Sequence, residues 1–459
     1  MFPSKALRAR GLAAAAVALI SVAAMSGCSS AQTGASGTAT SGTVKWWGWT
    51  PDDSEAQQEI AAFNKQYPNI KVEFKKIQDA DYNSALRPAL ASPSGPDVFD
   101  VAAGGATGDV GTFGANALDL TSTMKQLRGD GWDSGLYTAG VKAFTDGSGK
   151  LKAAQVGRIA SGFLWINQGL FDKYGLKAPT TLQEWARVCS VFRANGMGCL
   201  KEGIGQPGFD IDTLHSISDS IQPGTFTKAT VGEVKWTDPT IVQAFSIFKQ
   251  LSTDGILDEG AVGIKQYPDA NNGFLSGKVP MVQMGSWYQQ YTTQPALKAA
   301  VAAAGVPSDT PLITMTPVPF PDVAGKGNKP NLFGDPDYAL AVNARSKAQD
   351  AATTFALWLS STKEGQQIVA DHLTDYPALE SVSTDWSTNS LVNPAVQEPA
   401  LKALGQRVNQ VDQARQANLP AAMIQALVTA NQAVIGGQST PEQAAAALQA
   451  AYEANKSHG

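Results

Sequence analysis

Residues 43–74, TVKWWGWTPDDSEAQQEIAAFNKQYPNIKVEF, decide the fold. Val44 to Trp49 is short, β-branched and aromatic, the composition of a strand. Thr50-Pro51-Asp52-Asp53 interrupts it, and Asp53 or Ser54 can cap a helix whose first turn carries Glu55. Ile60 and Phe63 share one face of that helix. Pro68 stops it, because proline disfavours helix in the residue before it. Ile70, Val72 and Phe74 then alternate with Lys71, Glu73 and Lys75, the pattern of a second strand. A β-α-β unit implies a parallel sheet flanked by helices. Ligands of such sheets bind beyond the carboxyl ends of the strands. That position holds Trp49, Thr50, Asp52 and Asp53, an apolar ring beside carboxylates.

The 459 residues are enough for two domains with separate cores, and a 43% hydrophobic, 16% charged composition is that of a globular protein. Lys5, Arg8 and Arg10 precede an apolar stretch from Leu12 to Ala24, followed by Ser26, Gly27 and Cys28. This leader resembles the bacterial lipoprotein signal, in which the cysteine (here Cys28) becomes the acylated first residue; Met25 stands where that signal prefers leucine. A plain secretory signal is the alternative. The apolar run is too short for a membrane span. Without the three leader cations, 32 basic residues face 40 acidic ones, a net charge of −8. No basic run remains, which argues against a nucleic-acid partner.

Cys189 and Cys199 are then left as a pair across a short, glycine-containing loop in an exported setting, and a disulfide is expected, with two buried thiols as the alternative. There is no CxxC, and His215, His372 and His458 lack metal-ligand spacing, so no metal or other cofactor is expected. Gly104-Gly105-Ala106-Thr107-Gly108 fails the dinucleotide spacing, and Gly273-x-x-x-Gly277-Lys278 fails the phosphate-loop count.

Along the chain, residues 29–42 (SSAQTGASGTATSG) read as a flexible tether. Asp97–Val101 and Tyr338–Val342 read as strands, as does Val279–Met284 before Gly285-Ser286-Trp287. Helices are expected at Thr240–Leu251, Ala348–Leu359, Ala421–Ile435 and Pro441–Ala454. From Ile313 to Pro321 prolines alternate with apolar residues, a poor core strand and a plausible domain crossover.

Together these motifs resemble one family, the family 1 extracellular solute-binding proteins of ABC importers, in their carbohydrate-binding branch. The resemblance runs through FNKQYPNIKVEF, GPDVFDV, FLWINQGLFDKYGLKAPTTLQEW, FLSGKVPMVQMGSW, and AVNARSKAQDAATTFALWLSSTKEGQQ followed by STPEQAAAALQ. It implies an α/β, two-lobed fold of the periplasmic-binding-protein type. Each lobe would be a mainly parallel sheet flanked by helices, with the ligand cleft between lobes. One lobe would take about residues 43–158 and 313–372, the other about 159–312 and 373–459, behind a signal at 1–28. It also implies a lipid-anchored, extracytoplasmic monomer that captures a carbohydrate, by preference an oligosaccharide, and delivers it to a permease. An exported lipid-anchored glycoside hydrolase and a binder of another solute stand as alternatives.

The resemblance carries ligand contacts onto Trp287, Asn167 with Trp165 before it, Asp100, and the loop Trp49–Asp53. Asp81, Asp337 and Tyr376 join the candidates by position. Sugar recognition needs aromatic faces and planar polar groups that pair with hydroxyls. Trp46, Trp47, Trp185 and Trp358 read as packing, Trp236 and Trp386 stay open, and one of Asp52 and Asp53 reads as a helix cap. Arg158 is the one cation that reading places at the cleft.

Overall fold

The computed structural model of the protein describes residues 37–328 and 331–456. Cys28 and the leader lie outside the described residues, as does most of the tether. The tether's last residues are structured: Thr38 bridges Ser41, and Thr354 Oγ1 donates to the carbonyl of Ala39.

The opening stretch folds as β1 (Gly42–Gly48), the helix Asp53–Gln66, and β2 (Ile70–Lys76), with β1 and β2 parallel. The helix Asp79–Ala89 leads to β3 (Val98–Ala102), which lies parallel to β1 on its other side. Trp46 is wholly buried between Phe74 and Phe355. Trp47 on the opposite face is only half-buried, its ring covered by the Lys75 ammonium 4.0 Å from the centroid. The alternation of burial along β1 thus comes from one helix-packed face and one face shielded by a long side chain.

Three short strands then carry the chain onward: β4 (Ala154–Gln155), β5 (Gly157–Ser161) and β6 (Phe163–Asn167). β7 (Leu200–Lys201), β8 (Met281–Gln283) and β9 (Met315–Pro319) join β6 in a second sheet of order β7-β8-β6-β9. β10 (Phe333–Pro336) and β11 (Tyr338–Val342) return the chain to the first sheet, whose order is β2-β1-β3-β11-β4. β12 (Tyr376–Pro377) completes a third, small sheet of order β10-β5-β12. The strands of that small sheet adjoin elements of both larger sheets along the chain, so they are the crossings between the two, called hinge strands below.

Two features differ from the sequence reading. The proline-rich segment is not a crossover. It is β9, paired with β6 from Phe163↔Pro319 to Asn167↔Met315. It stands at the sheet's edge, where prolines with no N–H to donate are tolerated. The return to the first sheet therefore comes after Pro319, by way of β10 in the small sheet to β11 at Tyr338, not at residue 313. The second sheet also has one parallel pairing (β7 with β8) and two antiparallel ones, because β6 is flanked by β8 and β9 both running against it.

Each large sheet carries its own core. Val44, Phe63, Phe99, Leu340 and Phe355 belong to the first. Leu164, Trp185, Phe192, Phe245 and Leu427 belong to the second, with Trp236 among them. A third cluster, with Trp165, Phe274 and Tyr288, lies behind the other face of the second sheet. Burying each such side chain contributes roughly 1.5–3 kcal/mol. Cys189 and Cys199 are joined as a disulfide that ties the helix Leu182–Ala194 to the segment entering β7. Among the described residues no helix is long and apolar enough to cross a membrane.

Candidate functional site

Beyond the carboxyl ends of β1 and β3 lies a cavity of about 400 Å³, within the roughly 300–1,000 Å³ of small-molecule sites. Trp49, Asp52, Lys76 and Asp79 line it from the first sheet's side. Phe209, Tyr267, Trp287 and Tyr291 line it from the second sheet's side, and Asp335, Asp337, Arg415 and Gln416 close its base.

Trp49 follows the end of β1 and is held by local packing. Its ring meets Tyr82 edge-on, with centroids 4.9 Å apart, and lies against Gly108 so closely that a Cβ there would fall 2.4 Å from it. Gly108 also has φ +65°, so the glycine-rich loop serves to seat this ring. Asn83 fixes the loop by donating to the Ala106 carbonyl at 2.7 Å and accepting from the Gly108 N–H at 2.8 Å.

Asp52 is the residue before the helix Asp53–Gln66, yet its side chain makes no capping bond. Its carboxylate instead accepts from Lys76 Nζ at 2.6 Å and from the Tyr291 hydroxyl at 2.5 Å. Burial alone would raise its pKa; the Lys76 ammonium and the two hydrogen bonds outweigh that and hold it below the usual value. Tyr291 belongs to the second sheet's side, so this bond spans the cavity. A second such bond runs from Gln206 Nε2 to Asp79 Oδ2 at 2.9 Å. Asp53 also lines the cavity, with its side chain exposed.

Trp287 lies in the turn after β8. Its ring rests on the backbone of Gly285, where a Cβ would fall 2.0 Å away, and its Nε1 donates to the Tyr267 hydroxyl at 3.0 Å. The Arg415 guanidinium stands 4.9 Å from the ring centroid. Arg415 is itself fixed from two directions. Its Nε lies 2.9 Å from both carboxylate oxygens of the buried Asp212. Its backbone N–H donates to Asp335, which also accepts from the N–H groups of Gln416 and Ala417. Among the described residues Arg415 Nη1 and Nη2 make no hydrogen bond and are left to face the cavity.

Asp212 comes from the helix Phe209–Ile221, nearly all of whose residues are buried despite Asp210, Asp212, His215 and Asp219. Its polar side chains are spent internally: Asp210 accepts from Asn431 at 2.7 Å, Asp212 also from Ser161 Oγ at 2.8 Å, and His215 is stacked between Phe226 and Phe333.

Of the residues singled out from sequence, the structure brings Trp49, Asp52, Asp53, Trp287 and Asp337 together around the cavity. It places the others elsewhere. Asp100 is fully buried beneath the Gly48 turn, accepting from Trp46 Nε1 at 2.8 Å, because the strand end above it covers it. Trp165 is fully buried and donates to the Gly285 carbonyl, a core position that supports the Trp287 turn from behind. Asn167 caps the helix Gln168–Lys173 through Leu170 N–H. Asp81 is exposed in the first turn of the helix Asp79–Ala89 and lies off the cavity wall, whereas Asp79, two residues earlier, lines it. Tyr376 pairs with Arg158 in the hinge sheet. Arg158 itself donates to Asn409 at 2.7 Å and is not part of the cavity wall.

The residues missed are Arg415, Tyr267, Phe209, Asp335 and Tyr291. Arg415 is an isolated cation in a polar loop between two helices, and nothing in its local sequence distinguishes it. Tyr267 precedes Pro268 in a turn, and that pairing is the only local signal it carries.

The model of the bacterial extracellular solute-binding protein family matches residues 47–366. Two curated relatives are a probable sugar-binding periplasmic protein of Brucella suis and an uncharacterized ABC transporter extracellular-binding protein of Pyrococcus horikoshii. The first is 27% identical over 203 residues, covering 44% of each chain. The second is 26% identical over 205 residues, covering 43% of this chain and 46% of the relative. The chain thus spans less than half the length of the curated relatives it matches. Similar solved structures include a protein from work on xylan utilization by the thermophilic bacterium Caldanaerobius polysaccharolyticus, with TM-score 0.68 and 22% identity, covering 89% of this chain and 99% of that one. Maltose-bound MalE3 of T. maritima superposes with TM-score 0.66 and 18% identity over 89% and 98%. A chitin oligosaccharide binding protein does so with TM-score 0.66 and 20% identity over 91% and 100%. These likenesses establish the two-lobed α/β fold.

Proposed function

The chain belongs to the bacterial extracellular solute-binding protein family, and we propose that it captures a neutral oligosaccharide in the cavity between its two sheets and presents it to an ABC transporter permease. The observation that carries this reading is the cavity's composition. Trp49 and Trp287 come from opposite sides, and between them Arg415 offers two Nη groups held in place by Asp212. Aromatic faces suit the C–H surfaces of a sugar ring, and a planar guanidinium suits a pair of neighbouring hydroxyls.

A phosphorylated or otherwise anionic solute fits less well. The cavity's cations are Lys76 and Arg415, already paired with Asp52 and Asp212, while Asp53, Asp79, Asp335 and Asp337 add further acid. Relatives and structural neighbours described as binding sugars support the choice of solute. The lobes of this proposal are about residues 43–158 with 333–372, and about 159–332 with 373–459. Acylation of Cys28 would tether a monomer to the extracytoplasmic face of the membrane.

The reading treats the protein as a carrier, not an enzyme. Ligand contacts to both sides favour the closed arrangement only by their differential affinity for it. A micromolar Kd corresponds to roughly 8 kcal/mol, within reach of two stacked rings and several hydroxyl bonds. Incubation with labelled oligosaccharides should return them intact, and turnover would overturn the carrier reading. A thermal-shift panel of malto-, xylo- and chito-oligosaccharides against peptides, polyamines and glycerol phosphoesters tests the solute. Stabilisation by the phosphoesters alone would replace the sugar.

A further inference from the structure

Asp337 and Asp375 both pack on Gly157, at the point where the three hinge strands meet. Asp337 links β10 to β11 and lines the cavity, and its backbone N–H donates to the Gly157 carbonyl at 3.0 Å. Asp375 immediately precedes β12 and is 2% exposed. Gly157 opens β5, and the approach is so close that a Cβ there would sit 2.3 Å from the Asp375 Cβ. Neither carboxyl oxygen of Asp375 receives a hydrogen bond from an N–H or hydroxyl donor. What they face is the carboxyl of Asp337. Two carboxylates cannot occupy such a contact while both are ionised; one must keep its proton and donate it to the other.

We propose that Asp375 is a positioning residue for the cavity-facing Asp337, that the two carboxyls share one proton, and that ligand capture is linked to that proton. With the proton in place, Asp375 holds Asp337 in the cavity wall with one oxygen free to accept from a ligand hydroxyl. Loss of the proton sets two charges against each other inside the hinge, which spreads β10 and β12 away from β5 and disrupts the wall.

The surrounding charges bear on this pair unequally. Beyond burial, the hydrogen bond from Asp375 and then the Arg415 cation favour ionisation of Asp337, while Asp335 and Asp79 oppose it. Glu59 opposes ionisation of Asp375 from beneath the first sheet. The Tyr338 hydroxyl feels both members of the pair together with Glu59 and Asp100. Burial acts in the same direction on both acids and is the largest influence on each. The pair is therefore biased towards keeping its proton, with the Arg415 cation the opposing influence.

This inference rests on the sugar-binding reading, and its test separates the two. Asp375→Asn supplies an amide donor to Asp337 without a titrating proton. Unfolding of the wild type and of this variant is followed in urea from pH 5 to 8, without ligand and with the saturating oligosaccharide that gives the largest shift among maltotriose, xylotriose and chitotriose. The wild type should lose stability with rising pH more steeply than the variant, and its Kd should weaken by up to about tenfold per pH unit, the limit for one linked proton. The variant's Kd should stay level. Parallel profiles for the two proteins overturn the inference. If none of the sugars stabilises the wild type, the sugar reading fails, and the ligand-free profiles still decide whether the proton is shared. Should Asp375→Asn not fold, Asp337→Asn takes its place, since it breaks the same pair. A protonated-carboxyl infrared band at pH 7 in aspartate-labelled wild type that the folded variant loses supports the pair, and the same band at the same intensity in both proteins overturns it.

Discussion

Arg415 is the side chain on which recognition turns. Its Nε is committed to Asp212 and its backbone to Asp335, so the two Nη groups present a fixed pair of donors. Replacing it with methionine keeps much of the packing on Trp287 and removes the donors. Charge-assisted hydrogen bonds of this kind contribute about 1.5–3 kcal/mol, so Arg415→Met should weaken sugar binding roughly 10- to 100-fold in calorimetry. Unchanged affinity would remove Arg415 from the site. Tyr291→Phe deletes the hydroxyl that reaches Asp52 across the cavity. It should speed ligand release in stopped-flow fluorescence while leaving the melting temperature of the free protein nearly as it was. At this scale the sequence was half legible. Trp49 and Trp287 stand just past strand ends, where bulky rings have few packing partners, and that position together with the family resemblance pointed to them. Arg415 and Asp335 could not be found that way, because what qualifies them is a hydrogen-bond frame assembled from segments far apart in the chain.

At the scale of elements, the opening β-α-β unit was readable because its periodicity changes from 2 to 3.6 and back within one stretch, with proline at both junctions. The helices Ala421–Ile435 and Pro441–Lys456 were similarly plain from composition and from Thr440-Pro441 at the second helix's start. β9 was not, since prolines argue for a strand only when its place at a sheet edge is known. The helix Phe209–Ile221 is hard to place from sequence because its acids are buried and satisfied only by partners such as Asn431, Arg415 and Ser161. The disulfide closes a short loop between a helix and a strand. Breaking it with Cys189→Ser should lower unfolding free energy by about 2–3 kcal/mol, measured by urea titration. A change under a few tenths would mean that the flanking helix needs no such tie.

For the molecule as a whole, the distribution of buried acids predicts how stability depends on pH. Burial raises Asp100, Glu59, Glu202 and Asp335, and pushes Asp210 up to about 7 and Asp337 up to about 6. For each, the folded state holds its proton at a pH where the unfolded chain has released it. Their stabilisation is therefore complete below the unfolded value, near 4, and is lost as pH rises through the folded one. Asp52 has the opposite sign and contributes above its unfolded value of 3.8, losing that contribution as pH falls further. Unfolding free energy should thus peak on the acid side of neutrality and decline from about pH 5 to 8. A profile rising through that range would contradict the burial of these groups. The two-lobed α/β fold is shared with the similar solved structures, and the linear order of motifs was enough to anticipate it, though not the place of the return crossing. The measurement that bears most directly on the central claim is calorimetric titration of the protein with neutral oligosaccharides, alongside Trp49→Ala and Arg415→Met. The account predicts saturable binding at one site, lost or strongly weakened in both variants, with Arg415→Met, which leaves the buried Asp212 unpaired, melting lower than wild type but still folded at the temperature of the titration. Binding that survives both substitutions, or no binding by any oligosaccharide, would contradict it.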